Sequence, residues 1–244
     1  MESNLNLASL NRMLKSLRYF LLIYAILVLP ACSGKPDFEK GLDAYERGDY
    51  EAALKKWHPL AEQGHADSQY WIGKLYYFGH GSEQDYEQAE KWLRMAADQG
   101  EAGGQLFLGD MYYHGHRVEQ NYVEAERWYL KAAEQGNTNA QHRLGNMYYH
   151  GEGVSQNHTK ALNWFEKAAE QGDAYAQYNL GFMRYYGEGN PQNDVHAHMW
   201  FNLAAEQGDK KALEARDEIA EYMTADQIAE AQRLAREWTE KHGQ

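Results

Sequence analysis

A short motif ending in glycine recurs along this chain at one fixed interval. AEQG closes at Gly64, ADQG at Gly100, and AEQG again at Gly136, Gly172 and Gly208, each 36 residues after the last. Other columns keep the same step: Gly73, Gly109, Gly145 and Gly181; Ala53, Ala89, Ala125, Ala161 and Ala197; Trp92, Trp128, Trp164 and Trp200; Gly79, Gly115, Gly151 and Gly187. A unit this short cannot bury a core alone, so such a register predicts a linear array in which each unit packs on its neighbours.

Each unit reads as two helices. In the unit opening near Asn137, Ala140, Leu144, Met147 and Tyr148 share one face at helical spacing. Gly151 follows as the left-handed residue that closes this helix. Asn157 then stands where an N-cap belongs, in a column shared with Asp85, Asn121 and Asn193. Ala161, Trp164, Phe165 and Ala168 form the apolar stripe of the second helix. Gly145 and Ala161 are small enough to let the two axes approach, and the tryptophan column is expected in the core.

The stretch Leu144 to Gly172, LGNMYYHGEGVSQNHTKALNWFEKAAEQG, resembles the Sel-1-like repeat (SLR), a relative of the tetratricopeptide repeat. The resemblance implies an all-α chain, an α/α solenoid forming a right-handed superhelix of helix–turn–helix units, with four full repeats over residues 65–208. Residues 38–64 open the array. Twelve residues separate Gly41 from Ala53, against sixteen from Gly73 to Ala89, and twelve is the tetratricopeptide spacing. Arg117 and Asn190 depart from loop columns held elsewhere by Gly or Val, and Asp217 replaces the column glycine, which marks the end of the repeats. Residues 209–244 are read as capping helices: one over 210–222, then a capping box from Thr224 to Gln227 and an apolar stripe of Ile228, Ala231, Leu234, Ala235 and Trp238. An array needs such an end cap to avoid an open apolar face.

The N-terminal region is of another kind. Tyr19 to Leu29 carries no charge and follows Arg12, Lys15 and Arg18. This run falls short of the roughly 20 apolar residues that span a membrane, and it reads as a secretory signal over residues 1–31. Met13 gives a more compact signal than Met1. Leu29-Pro30-Ala31-Cys32 resembles a bacterial lipobox, which implies lipidation of Cys32 and a lipidated linker over 32–37. Each buried CH₂ of an acyl chain contributes about 0.8 kcal/mol, so two or more chains anchor firmly. Ser33, rather than aspartate, follows the cysteine, which by resemblance to other lipoproteins implies the outer membrane, periplasmic face. Cys32 is the only cysteine, so the body must hold by packing without a disulfide.

The chain carries a formal charge of −12, and the signal region contributes +2, leaving −14 for the remainder. Nucleic acid is thereby disfavoured as a partner, and so is any membrane contact beyond the N-terminal lipid. Common hydrolase signatures are absent, and the Gly-x-Gly pairs follow helices rather than strands, so they close loops. Histidines recur at 80 and 116, at 114 and 150, and at 196 and 198. They are read as solvated loop residues, because zinc needs three or four converging ligands and these lie on separate units. No catalytic residue, metal or cofactor is expected.

In tetratricopeptide-like arrays the first helix of each unit lines the concave face, at −6, −3, +1 and +4 from the column glycine. Here those positions hold Asp67, Tyr70, Lys74 and Tyr77; then Gly103, Leu106, Asp110 and Tyr113; then Asn139, His142, Asn146 and Tyr149; then Tyr175, Tyr178, Phe182 and Tyr185. The tyrosines at +4 form either a ladder for a ligand, widening to an aromatic patch in the last unit, or packing between adjacent repeats. Family resemblance implies a non-enzymatic scaffold that takes a protein or peptide partner of the cell envelope in its groove, and the body is expected to be monomeric. The contrasting class is a peptidoglycan- or β-lactam-directed hydrolase or binding protein of the same repeat family.

Overall fold

The computed structural model describes residues 34–116 and 118–242; the expected signal, Cys32 and Arg117 lie outside the described residues. Among those described, the chain forms twelve helices and no strand. They are α1 (Gly34–Glu46), α2 (Tyr50–Glu62), α3 (Ala66–Phe78), α4 (Tyr86–Asp98), α5 (Ala102–His114), α6 (Tyr122–Glu134), α7 (Thr138–His150), α8 (His158–Glu170), α9 (Ala174–Tyr186), α10 (Asp194–Glu206), α11 (Lys210–Ala220) and α12 (Ala225–His242). Consecutive helices pair as hairpins, and each hairpin stacks on the next through its second helix. First helices also touch along the array, α3 on α5 and α7 on α9. This is an all-α solenoid. Among the described residues no helix is long and apolar enough to cross a membrane.

The caps expected from the sequence set the register. Asp85 Oδ1 accepts from the N–H groups of Glu87 and Gln88 at 2.9 and 3.1 Å, and Asn121, Asn157 and Asn193 cap α6, α8 and α10 in the same column. Gly151 closes α7 at φ 75°. A side chain in that left-handed conformation costs about 1–2 kcal/mol. Gly151→Ala is therefore expected to lower the urea midpoint without changing the slope; an unchanged midpoint would show that this closure contributes nothing to stability.

The column glycines do more than bring axes together. A Cβ on Gly145 would lie 2.5 Å from the Phe165 ring, and Gly109 and Gly181 face Tyr129 and Phe201 as closely. Gly73 meets Leu93 and Gly41 meets Trp57 in the same way. Each glycine is a socket for a large side chain from the second helix of its own unit. The tryptophan column is core only in part: Trp92 and Trp128 are buried, whereas Trp164 and Trp200 are half-buried against the clusters beside them.

The ends differ from expectation in detail. α1 opens at Gly34, so residues 34–37, read as linker, form its first turn; Pro36 falls where a backbone N–H has no intrahelical acceptor, so helix is permitted there. The helix expected over 210–222 ends at Ala220. The capping box is present, with Thr224 N–H on Gln227 Oε1 at 2.9 Å and Gln227 N–H on Thr224 Oγ1 at 3.2 Å. α12 then lies on α10, where Ala235, Leu234 and Trp238 cover Met199, Leu203 and Trp200.

Candidate binding groove

The first helices of the four full units, α3, α5, α7 and α9, line one continuous groove of about 820 Å³. Seven of the candidate residues meet there: Tyr70, Leu106, Asp110, His142, Asn146, Tyr175 and Tyr178. Lys74, Gly103 and Asn139, at the same register positions, join them, while the exposed Asp67 stands outside the lining.

Five candidates lie elsewhere. The tyrosines at +4 turn toward the following unit. Tyr77 Oη is 2.8 Å from His116 Nδ1, Tyr113 Oη donates to Glu152, and Tyr149 faces Glu188. A tyrosine in the last turn of a first helix abuts the loop that follows, and burying its ring there requires a partner for the hydroxyl. The ladder thus ties adjacent repeats, the second of the two readings weighed for it. Among the described residues no further repeat loop follows the last unit, and Phe182 and Tyr185 pack instead against the cluster of Phe201 and Ile219.

Other lining residues escaped the pattern. Phe107, Arg143 and Asn179 lie at −2, and Asn137 and Asp173 are the caps of α7 and α9. One helical turn beyond −6 falls between −3 and −2, so the 3.6-residue period carried the signal for the first three. The caps enter because their helices start at the groove rim.

Polar contacts organise the groove floor. Asp110 Oδ1 accepts from Tyr129 Oη at 2.7 Å and pairs with Arg143 Nε at 3.2 Å. His142 stacks on Tyr175 with centroids 5.7 Å apart and planes 6° apart, and its Nε2 is 2.9 Å from Asn146 Nδ2. Burial holds the His142 ring below its ordinary value, with Arg143 adding to this and Asp173 opposing it. His142 is therefore neutral at pH 7, which leaves Nε2 free to accept from the Asn146 amide. At one end Lys74 Nζ lies 4.4 Å from the Trp71 ring centre. The two ends are aromatic and the middle carries amides and charge.

The Sel1 repeat family matches residues 66–101, 102–137, 138–173 and 174–209. The chain belongs to the Sel1 repeat family. Among solved structures it is similar to a protective antigen present in uropathogenic Escherichia coli strains that displays an SLR fold, at 33% identity and a TM-score of 0.73 over 85% of this chain and 46% of that one. It is also similar to a Sel1 repeat protein from Oxalobacter formigenes, at 29% identity and a TM-score of 0.71 over 85% of this chain and 97% of that one. The chain thus spans about half the length of the E. coli antigen. A comparison with curated protein sequences finds no match. Sel1 repeat proteins generally mediate protein–protein interaction, and the scaffold is typically non-catalytic.

The histidines of this Sel1 repeat protein are less uniform than solvated loop residues. His80, His114, His150 and His196 are exposed, but His116 bonds Tyr77 and His198 sits 3% exposed in α10. His198 is on the inward face of a helix, beside Ala197 and Met199, rather than in a loop.

These environments set the pH response. Burial holds His142 and His198 below the ordinary 6.5. Unfolding frees them to protonate, so their contribution is intact above about pH 6.5 and is lost as pH falls below it. Burial pushes the phenols of Tyr70, Tyr77, Tyr148 and Tyr149 from 10.0 up to about 12. That contribution is intact below about pH 10 and is lost as pH rises toward 12. Urea midpoints are expected to fall on both sides of a plateau between about pH 7 and pH 10; a midpoint that rises on either flank would contradict these environments.

Proposed function

We propose that this protein is a non-enzymatic scaffold of the bacterial envelope that binds an extended segment of a protein partner in the groove of α3, α5, α7 and α9. The observation that carries this reading is the continuity of one groove across all four repeats, with aromatic rings at its ends and amides between them. Recognition sites combine apolar contact area with a few placed polar groups in this way. Lipid on Cys32 holds the protein in the outer membrane, on the periplasmic face. The body acts as a monomer, since α12 covers the apolar end that would otherwise recruit a second copy.

Photo-crosslinking in cells tests the groove. A benzophenone side chain is placed at Asn139 or Asn179, and control probes at Met95 and Tyr222, which are exposed outside the lining. Adducts with one protein from both groove positions and from neither control are expected. Equal labelling at all four positions, or none, would overturn the groove assignment. The anchor is tested separately by alkyne-palmitate labelling, which Cys32→Ser is expected to abolish together with outer-membrane fractionation. The hydrolase reading would replace the scaffold if the purified protein turned over muropeptides and Asp110→Asn stopped it.

A further inference from the structure

The charges in the groove are committed unequally, and this names the chemistry of the occupant. Both carboxylates of the lining already hold internal donors. Asp110 takes Tyr129 and Arg143, and Asp173 Oδ1 accepts the Ala176 N–H at 2.6 Å. The two cations are freer. Arg143 meets Asp110 through Nε, and no hydrogen bond among the described residues engages its terminal nitrogens. Its side chain remains 43% exposed. Lys74 pairs with no carboxylate among the described residues; its ammonium is placed by the rings of Trp71, Tyr45 and Tyr70 at 4.4, 5.5 and 6.0 Å.

From this asymmetry we propose that the groove takes an acidic peptide segment, with one carboxylate on Arg143 and a second on Lys74; the proposal rests on the groove being a peptide site. Arg143 pairs with Asp110 on its Nε side, which leaves both terminal nitrogens as a fork that matches two carboxylate oxygens. The aromatic rings hold Lys74 in one place without neutralising it, so less order is lost when a carboxylate arrives. Asn139 and Asn179 make no side-chain hydrogen bond among the described residues, and their amides can pair with the backbone of an extended segment. A cationic segment fits less well. It would have to compete with Arg143 for Asp110, and would leave two cations facing a third. Selectivity here runs against the charge of the whole chain, whose 36 acidic residues outnumber 24 basic ones; it comes from the groove and not from the overall field.

The test uses the full chain in detergent and three fluorescein-labelled peptide pools of matched length. Alternate positions carry Glu in the first pool, Gln in the second and Lys in the third. The Glu pool is expected to bind about tenfold more tightly than the Gln pool, equivalent to about 1.4 kcal/mol. Arg143→Gln and Lys74→Gln are each expected to reduce the ratio between Glu-pool and Gln-pool affinity, and the double variant to bring it close to one. Arg143→Gln also removes the pair with Asp110, so Lys74→Gln, whose ammonium pairs with no carboxylate among the described residues, serves as the variant that breaks no ion pair. Equal binding of the Glu and Gln pools, or a preference for Lys, would overturn the acidic occupant and leave a peptide groove standing. If no pool binds while glycan strands do, the peptide reading falls as well.

Discussion

Phe165→Ala is expected to destabilise the protein by about 3–5 kcal/mol, the range for truncating a fully buried aromatic side chain. Phe165 is 0% exposed and lies in the third of the four full units. Its ring fills the space left by Gly145, so truncation opens a cavity between α7 and α8 that backbone movement cannot readily close. The position matters as much as the size. Stability of an array is close to a sum of unit and interface terms, so weakening an inner unit uncouples the hairpins on either side of it. A single denaturant transition is expected to split into two, with α9 to α12 unfolding apart from α1 to α6. Gly145→Ala alone forces the ring aside and costs about 1–3 kcal/mol by overpacking. In the Phe165→Ala background the same change is expected to cost little, because the added methyl then enters the cavity. A double-mutant cycle measures this directly. Additive effects would separate the glycine from the ring, and a cooperative single transition in Phe165→Ala would remove the uncoupling.

How far the chain was legible follows from which residues repeat and why. Helix boundaries were readable because Asp85, Asn121, Asn157 and Asn193 cap, and Gly151 closes, through chemistry local to a few residues. Pairing of Gly145 with Phe165 was not, because a glycine column signals close approach without saying which side chain approaches. The groove was partly readable. Positions −6, −3 and +1 follow from one helical stripe, and Tyr70, His142 and Tyr175 lie on it. Tyr77, Tyr113 and Tyr149 sit one turn further on, where the loop of the following unit takes over from solvent. Nothing in one unit read alone reveals that neighbour. The buried glutamines escaped for a related reason. Gln69, Gln105, Gln141 and Gln177 keep the period of 36, yet their meaning lies in carbonyls of the preceding unit.

Those glutamines carry the second large effect. Gln141 is 4% exposed; its Nε2 donates to Ala133 O of the preceding unit at 3.2 Å, and its Oε1 accepts from Gln171 Nε2 at 2.7 Å. Gln99 on Gln69, Gln135 on Gln105 and Gln207 on Gln177 repeat the link at 2.6, 2.8 and 2.9 Å. One side chain thus joins the end of one repeat to the end of the next, where the AEQG turn would otherwise present buried polar groups to apolar packing. Gln141→Leu keeps the volume and removes both links, at an expected cost of about 1–3 kcal/mol. Gln171→Ala, whose side chain is near solvent, is expected to cost less, since water can then reach the Gln141 carbonyl. Gln141→Glu separates hydrogen bonding from size. A neutral carboxyl can still donate to Ala133 O, whereas the carboxylate buries a charge facing that carbonyl oxygen, so burial raises its pKa in the folded state. A raised carboxyl pKa gives stability that is present at low pH and lost as pH rises through the folded-state value. The gap in urea midpoint between this variant and the parent is therefore expected to be small at about pH 4 and to widen toward pH 7. Taking the difference cancels the histidine response that both proteins share. A gap independent of pH would mean that the buried amide acts by shape alone, and the continuous link between repeats would then contribute nothing to holding the groove in register.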